Sequence, residues 1–315
     1  MSAEQIFITP ELLREATELI VRLKAASVSL LQRHFRLGYH AAIDLAHALE
    51  SAGIITSRGM DGYRSLTPHA LSLRPSHQPP SARELFEAWA GDPFEGGDGG
   101  DAGSPEAPSI WLFGQEHGDA LNIEQEPETS RDARAYSVES QLRYPFNRNA
   151  FKLFAAISGE LVSRYEQFAH RHQPWVPGST GYFKGNLYPY PCRNVATWSE
   201  AAAGETGFAC KGDFVAWCNE HRLPDIAEAV RRHRPRLFIG IGATMAPVFS
   251  RAYFGAALPL ESYQFAVEGH TKKIRYATHN GGRLVVLPHI SSGSNGLNSD
   301  EALQVAGGFI AGLMR

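Results

Sequence analysis

No run of about 18 consecutive apolar residues occurs in this chain of 315, so the sequence offers no helix able to span a bilayer. The opening MSAEQIFITP lacks the basic and apolar blocks of an export signal, and the expected location is the cytoplasm, on the nucleoid, with no membrane partner. Cysteine is scarce. Cys192, Cys210 and Cys218 are an odd number without a Cys-x-x-Cys pair, which argues against a disulfide framework and against a cysteine-only zinc or iron–sulfur site. They read as reduced, mostly structural thiols. A G-x-S-x-G elbow is missing, and with it the serine-hydrolase reading. The stretch GIGATM at 240–245 lacks the third glycine and the later acidic residue of a dinucleotide fingerprint. No cofactor and no resident metal are expected; Glu116, His117 and His289 form the one metal alternative, and their spacing does not demand it.

A large excess of either charge is absent as well, the net charge being −3, but the distribution is uneven. Between 83 and 106 stand Glu84, Glu87, Asp92, Glu95, Asp98, Asp101 and Glu106 against Arg83 alone. The rest of the chain is slightly basic, and a local basic patch suffices for a polyanionic partner. The stretch GDPFEGGDGGDAGSPEAP at 91–108 combines glycine, proline and acid with little apolar surface, and so reads as a flexible, self-repelling linker. The expected organisation is an N-terminal domain over 1–80, an acidic linker over 81–107 and a larger domain over 108–315.

In the first part Leu12, Leu13, Ala16, Leu19, Ile20 and Leu23 recur at helical spacing. Shorter helices follow over 27–35 and 39–51, Gly53 supplies a C-terminal stop, and GIITSRGMDGYRSLTP reads as two strands around a turn. Three helices and a hairpin make a winged helix. The stretch ASVSLLQRHFRLGYHAAIDLAHALESAGII within it resembles the gamma domain of the FtsK-type DNA translocases, over about 10–71. That resemblance implies duplex DNA as a partner and places Arg33, Arg36, His40 and Ala41 near it. On the residues alone, Tyr39, Ala42, Ile43, Ala46 and Leu49 form the buried stripe of the third helix, leaving His40, Asp44 and His47 outward, and Asp44 would repel phosphate. A winged helix used for protein contact is the alternative.

After residue 108 apolar runs alternate with helical stretches: SIWLFG, a helix over 150–167, GYFKGNLYPYP, helices over 211–221 and 224–233, RLFIGIG, RLVVLPH and a last helix. Such alternation predicts an α/β fold with a parallel sheet between helices, and ligands of such sheets sit beyond the carboxyl ends of the strands. Three strand ends are unusual: FGQEHG, GNLYPYP and LPHISSGSNGL. Their order and spacing resemble the uracil-DNA glycosylase superfamily, as does AYSV at 135–138 beside its A-F-S-V segment. The resemblance implies a three-layer parallel-sheet domain, with Gln115 giving backbone contacts to the base or water and Glu116 in the place of the water-activating carboxylate. It further implies Tyr136 as the ring stacked on an extruded base, Asn186 as the reader of its edge, His289 as the donor to its carbonyl, and Ser292, Ser294 and Asn295 as loop contacts to DNA.

The chemistry suits those residue types. Cleaving a glycosidic bond makes an oxocarbenium-like sugar and an anionic base, which a carboxylate and hydrogen-bond donors stabilise. Each residue also has a plainer role: Glu116 as an ion-paired strand end, Asn186 as a turn bond, His289 as a loop cap, Tyr136 as core. Lys184 is expected to be an ordinary lysine, so no lyase step is implied. The departures from the pattern are Glu for Asp at 116, His117 and Ile290 for prolines, and Gly118 where the uracil-specific motif carries a ring that blocks the pyrimidine 5-position. Leu297 is the nearest candidate for a wedge. The expected function is excision of uracil-type or 5-substituted pyrimidines by a monofunctional glycosylase, in repair or in defence against phage with modified bases. The alternative is a catalytically inactive DNA-binding or regulatory protein on the same fold.

Overall fold

The computed structural model describes residues 8–35, 37, 39–57, 64–73, 81–116, 136–192, 197–279, 281–291, 293 and 295–315, without the side chains of 29, 33, 39 and 40. Helices α1 (Pro10–Leu23), α2 (Val28–Phe35), α3 (Tyr39–Ser51), α4 (Pro68–Ser72) and α5 (Ala82–Ala90) come first. Strands β1 (Gly99–Gly100) and β2 (Ile110–Gly114), helices α6 (Val138–Gln141), α7 (Pro145–Ile157) and α8 (Tyr165–His172), and strand β3 (Tyr182–Asn186) follow. Then come α9 (Glu200–Thr206), α10 (Lys211–Trp217), α11 (Leu223–His233), β4 (Leu237–Ile241) and α12 (Ala246–Phe254). The last elements are β5 (Glu261–Val267), β6 (His270–His279), β7 (Gly282–Leu287) and α13 (Asp300–Leu313). No described helix is long and apolar enough to cross a membrane.

The chain divides into two compact units. The first contains the described residues up to Gly91 together with Cys192–Ala216. Thr9 starts α1 by accepting from the amide of Leu12 at 3.1 Å, with Pro10 in the first turn, where its missing N–H costs nothing. Ala16, Ile20, Leu31, Ala42, Leu45, Ala46 and Leu49 pack α1, α2 and α3 into one core. Gly53, at φ +70°, lets α3 stop, and the chain returns through the bridges Ile55 to Leu66 and Ala26 to Arg64. This is the expected winged helix. In α3, Ala42, Ala46 and Leu49 are buried while Asp44 and His47 are exposed, as their spacing predicts; Leu45 joins the buried stripe and Ile43 is half-buried.

The expected linker over 81–107 is not one. Its first part forms α5, begun by a capping box in which Ser81 and Glu84 satisfy one another's backbone amides. Leu85 packs on the cluster of Leu19, Ala25 and Leu30, and Phe86 meets the edges of Phe208 and Phe214 at 5.8 Å each. The first unit therefore extends beyond residue 80 and recruits α9 and α10 from much later in the sequence.

The second unit is built on a seven-stranded sheet in the order β1-β3-β2-β4-β7-β6-β5. Pairs β3–β2, β2–β4 and β4–β7 are parallel; β1–β3, β7–β6 and β6–β5 are antiparallel. The sheet is thus mixed, and the wholly parallel expectation holds only for the middle four strands. Ile110, Leu112, Ile239 and Val285 face a core with α7, α8 and α13, whereas Trp111, Phe113 and Phe238 stack on the opposite side with Phe183 and Phe249. Burial on both faces explains why these strands read as unbroken apolar runs. The single helix expected over 150–167 is two, α7 and α8, interrupted where Gly159 takes φ +83°.

The second half of the supposed linker belongs to this unit. Asp101 accepts from the amides of Gly181 (2.7 Å) and Gly103 (2.9 Å) and from Ser109 Oγ (3.0 Å). Burial alone would raise its pKa, but these donors together hold it below the usual carboxylate value. Trp111 Nε1 donates to the carbonyl of Ala102 at 2.9 Å, and Phe94 packs edge-on against Trp111 and Phe183.

Candidate functional site

Parallel pairing brings the carboxyl ends of β3, β2, β4 and β7 to one end of the sheet. Asn186 ends β3, Gln115 and Glu116 follow β2, and Pro288 and His289 follow β7. Strands two places apart, as β2 and β7 are, stand about 10 Å from one another, a separation that a nucleobase can bridge. The three sequence motifs therefore share one sheet end.

Asn186 is directly opposite Gly114 in the β2–β3 register and only 5% exposed. A methyl group at 114 would come within 2.5 Å of Asn186 Oδ1, so glycine is needed for the amide to lie where it does. The Nδ2 donates to the carbonyl of Gly96 at 2.9 Å, a partner supplied by the stretch expected to be a linker. Gln115 is half-buried, and its carbonyl accepts from the amide of Tyr188 at 2.9 Å, so that oxygen is committed to the strand exit. Glu116 is half-buried near Tyr188. Burial first, then the charges of Cys218 and Glu116, push the Tyr188 hydroxyl up to about 12, and it bonds Asn219 at 3.4 Å.

His289 is exposed overall, yet partial desolvation of its ring lowers its pKa, which favours the neutral imidazole. Its Nδ1 lies 3.3 Å from the backbone amide of Ser291, which can only donate. Nδ1 is therefore the acceptor and Nε2 carries the hydrogen. Phe146, at the start of α7, has its ring centroid 6.0 Å from that of His289 and 5.0 Å from Lys184 Nζ. Lys184 in turn pairs with Asp98 and bonds Asn147 Oδ1 at 2.8 Å, a structural engagement consistent with an ordinary lysine.

Tyr136 donates its hydroxyl to Asp98, and burial, followed by the Asp98 charge, raises its pKa well above the ordinary value. The residue as a whole is half-buried, and its hydroxyl is tethered to Asp98. Leu297, considered as a wedge, is fully buried in the core and cannot serve as one without unpacking it. Asn295 is exposed and Ala41 half-buried. Arg36, His117, Gly118, Ser292 and Ser294, and the side chains of Arg33 and His40, lie outside the described residues. Among the described residues no group of three or more acidic, histidine or cysteine side chains is arranged to hold a metal.

Arg222, Asp98 and Phe146 were not singled out by the sequence. Arg222 is fully buried in a π-helical turn, Cys218–Arg222, and donates to the carbonyls of Asp92 (2.7 Å), Glu95 (2.6 Å) and Leu187 (3.0 Å), with longer bonds to Pro93 and Asn186. It ties the exit of β3 to the stretch whose Gly96 carbonyl holds Asn186. Burial lowers its pKa to about 10, which leaves it charged at neutral pH. Short π turns of this kind are frequent at functional sites, but nothing in the residue types of 218–222 marks this one in the sequence.

Residues 9–67 match the family model of the Ftsk gamma domain. A DNA translocase FtsK of Listeria monocytogenes is 48% identical over 48 residues, which are 15% of this chain and 6% of the relative. A DNA translocase SpoIIIE of Bacillus subtilis is 52% identical over 48 residues, and a DNA translocase FtsK 1 of Neisseria meningitidis is 39% identical over 59, 19% of this chain and 7% of the relative. The chain thus spans less than a tenth of the length of these relatives, and the likeness is confined to the winged helix. No solved structure matches the chain.

Proposed function

We propose that the protein binds duplex DNA through its winged helix and that its α/β unit receives an extruded base at the carboxyl ends of β2, β3 and β7, excising uracil-type or 5-substituted pyrimidines. The observation that carries this reading is the gathering of Glu116, Asn186 and His289 at one end of the parallel strands, with a neutral imidazole presenting Nε2–H. In that role Glu116 would orient water beneath the sugar, and the His289 donor would favour the anion growing on the departing base. DNA as a partner rests on the likeness of residues 9–67 to the gamma domain and to proteins named DNA translocases.

The full chain, incubated with duplexes carrying uracil or 5-hydroxymethylated pyrimidines, is expected to leave alkali-labile abasic sites. Glu116→Gln should abolish excision and retain DNA binding, while His289→Ala should lose roughly two to three powers of ten in rate. A second reading, recognition of DNA without catalysis, is favoured by one specific observation: the Asn186 amide already donates to Gly96 and is almost fully buried. Intact protein that binds the whole panel and releases no base would select that second reading.

A further inference from the structure

In the first unit a cysteine and a lysine are set against one another. Cys192 is the first residue of the stretch that this unit takes from the later sequence, and Lys211 opens α10, its last helix. Lys211 Nζ lies 2.7 Å from Cys192 Sγ, and the cysteine is 6% exposed. Sulfur is a large atom, and an N–H···S hydrogen bond is ordinarily longer than this. The separation is that of a sulfur and a nitrogen joined through a single bridging atom. The same nitrogen lies 5.7 Å from the ring centroid of Trp198 and 5.8 Å from that of Phe214, contacts that help to hold it beside the thiol.

We propose that Cys192 and Lys211 form a reversible covalent bridge, Sγ–O–Nζ, when the protein is exposed to peroxide. A neighbouring ammonium favours the thiolate, the form that reacts. One peroxide transfers an oxygen to sulfur, giving a sulfenic acid and water. A second peroxide accepts two electrons as the sulfenic oxygen bonds to the lysine nitrogen, and is itself reduced to two waters. Overall a thiol, an ammonium and two peroxides yield the bridge, three waters and one proton. The bridge closes the chain from Cys192 to Lys211 into a covalent ring, clasping the recruited stretch at its root. Two equivalents of a dithiol reverse it, supplying four electrons and returning thiol, amine and water while each is oxidised to its disulfide.

The test uses the full chain carrying Cys210→Ser, which removes the exposed neighbouring thiol; a serine oxygen can take over the contact that Cys210 Sγ makes with the amide of Asp213 at the start of α10. After hydrogen peroxide and non-reducing tryptic digestion, peptides 185–193 and 194–222 should appear joined, about 14 Da heavier than their sum, with cleavage after Lys211 lost. The joined species should vanish with dithiothreitol, fail to form in Lys211→Arg, and rise in yield with pH because the nitrogen must release protons. Recovery of Cys192 as a thiol or sulfinic acid with normal cleavage after Lys211 would overturn the proposal. A link about 2 Da lighter than the sum would mean a direct S–N bond and would overturn the oxygen bridge.

Discussion

At His289 one ring nitrogen faces a backbone amide, and an amide N–H has no lone pair to offer, so the imidazole must accept there and carry its hydrogen on Nε2. Partial desolvation works in the same direction by penalising the charged ring. The sign of the pH effect follows: with the folded pKa below the unfolded one, the stability that the neutral ring contributes is present at neutral pH and is lost as pH falls through the ordinary value towards the folded one. Side-chain nitrogen NMR should therefore give His289 the Nε2–H tautomer and a titration midpoint below about 6.5. A midpoint at or above that value would show that the ring is hydrated or paired with an anion, and would remove it as a preorganised neutral donor. Asn186 shows the converse constraint at the same scale, since its placement depends on the absence of a side chain at Gly114, a residue with no chemistry of its own.

Elements here are joined by backbone groups as much as by apolar faces. The turn that leads from α10 into α11 directs Arg222 inward, where one guanidinium meets carbonyls before β1 and after β3. Arg222→Met would retain much of the volume and leave several buried carbonyls without donors, at an expected cost of about 3–5 kcal/mol in urea unfolding. Arg222→Lys, with a charge but fewer donors in a different geometry, should recover only part of it. A loss under about 1 kcal/mol for the methionine variant would show that the carbonyls find other partners or water. The same feature explains what the sequence could and could not convey. The strands β2, β4 and β7 are apolar runs ended by Gly or Pro and were legible by composition, as were α1 to α3 by their period. Residues 91–108 read as a linker because, apart from Phe94, what orders them is main-chain contacts, Asp101 and Arg222, none of which registers as apolar surface. The hairpin β5–β6 did leave a signal: Tyr263, Phe265 and Val267 recur at every second residue, with the smaller or polar Ser262, Gln264 and Ala266 between them, and Glu268-Gly269 both take positive φ in a two-residue turn. Its polar second arm masked it. At the site, the strand-end residues were legible because their types are unusual there, whereas Asp98 and Phe146 acquire meaning only through the side chains they meet.

On the scale of the whole molecule, the path of the chain decides how its DNA affinity must be measured. The winged-helix unit takes α5, α9 and α10 as well as the first three helices, so a fragment ending at residue 80 would expose the apolar surface that Leu85 and the α5–α9 packing cover. Affinity is therefore a property to be tested on the full chain. The net charge of −3 gives no general attraction to DNA, and binding has to arise from a local set of cations whose phosphate contacts release counterions. The dissociation constant for a plain duplex, measured across a series of salt concentrations, is expected to weaken steeply as salt rises. If Arg33 and Arg36 each neutralise one phosphate, the Arg33→Ala, Arg36→Ala double variant should bind more weakly and lower the magnitude of the log–log salt slope by roughly 1.8. The variant's urea midpoint, measured beside the parent's, keeps a loss of binding distinct from a loss of fold. An unchanged slope in that folded variant would place both arginines outside the interface, and binding without salt dependence in the parent would remove phosphate contact as the source of affinity altogether.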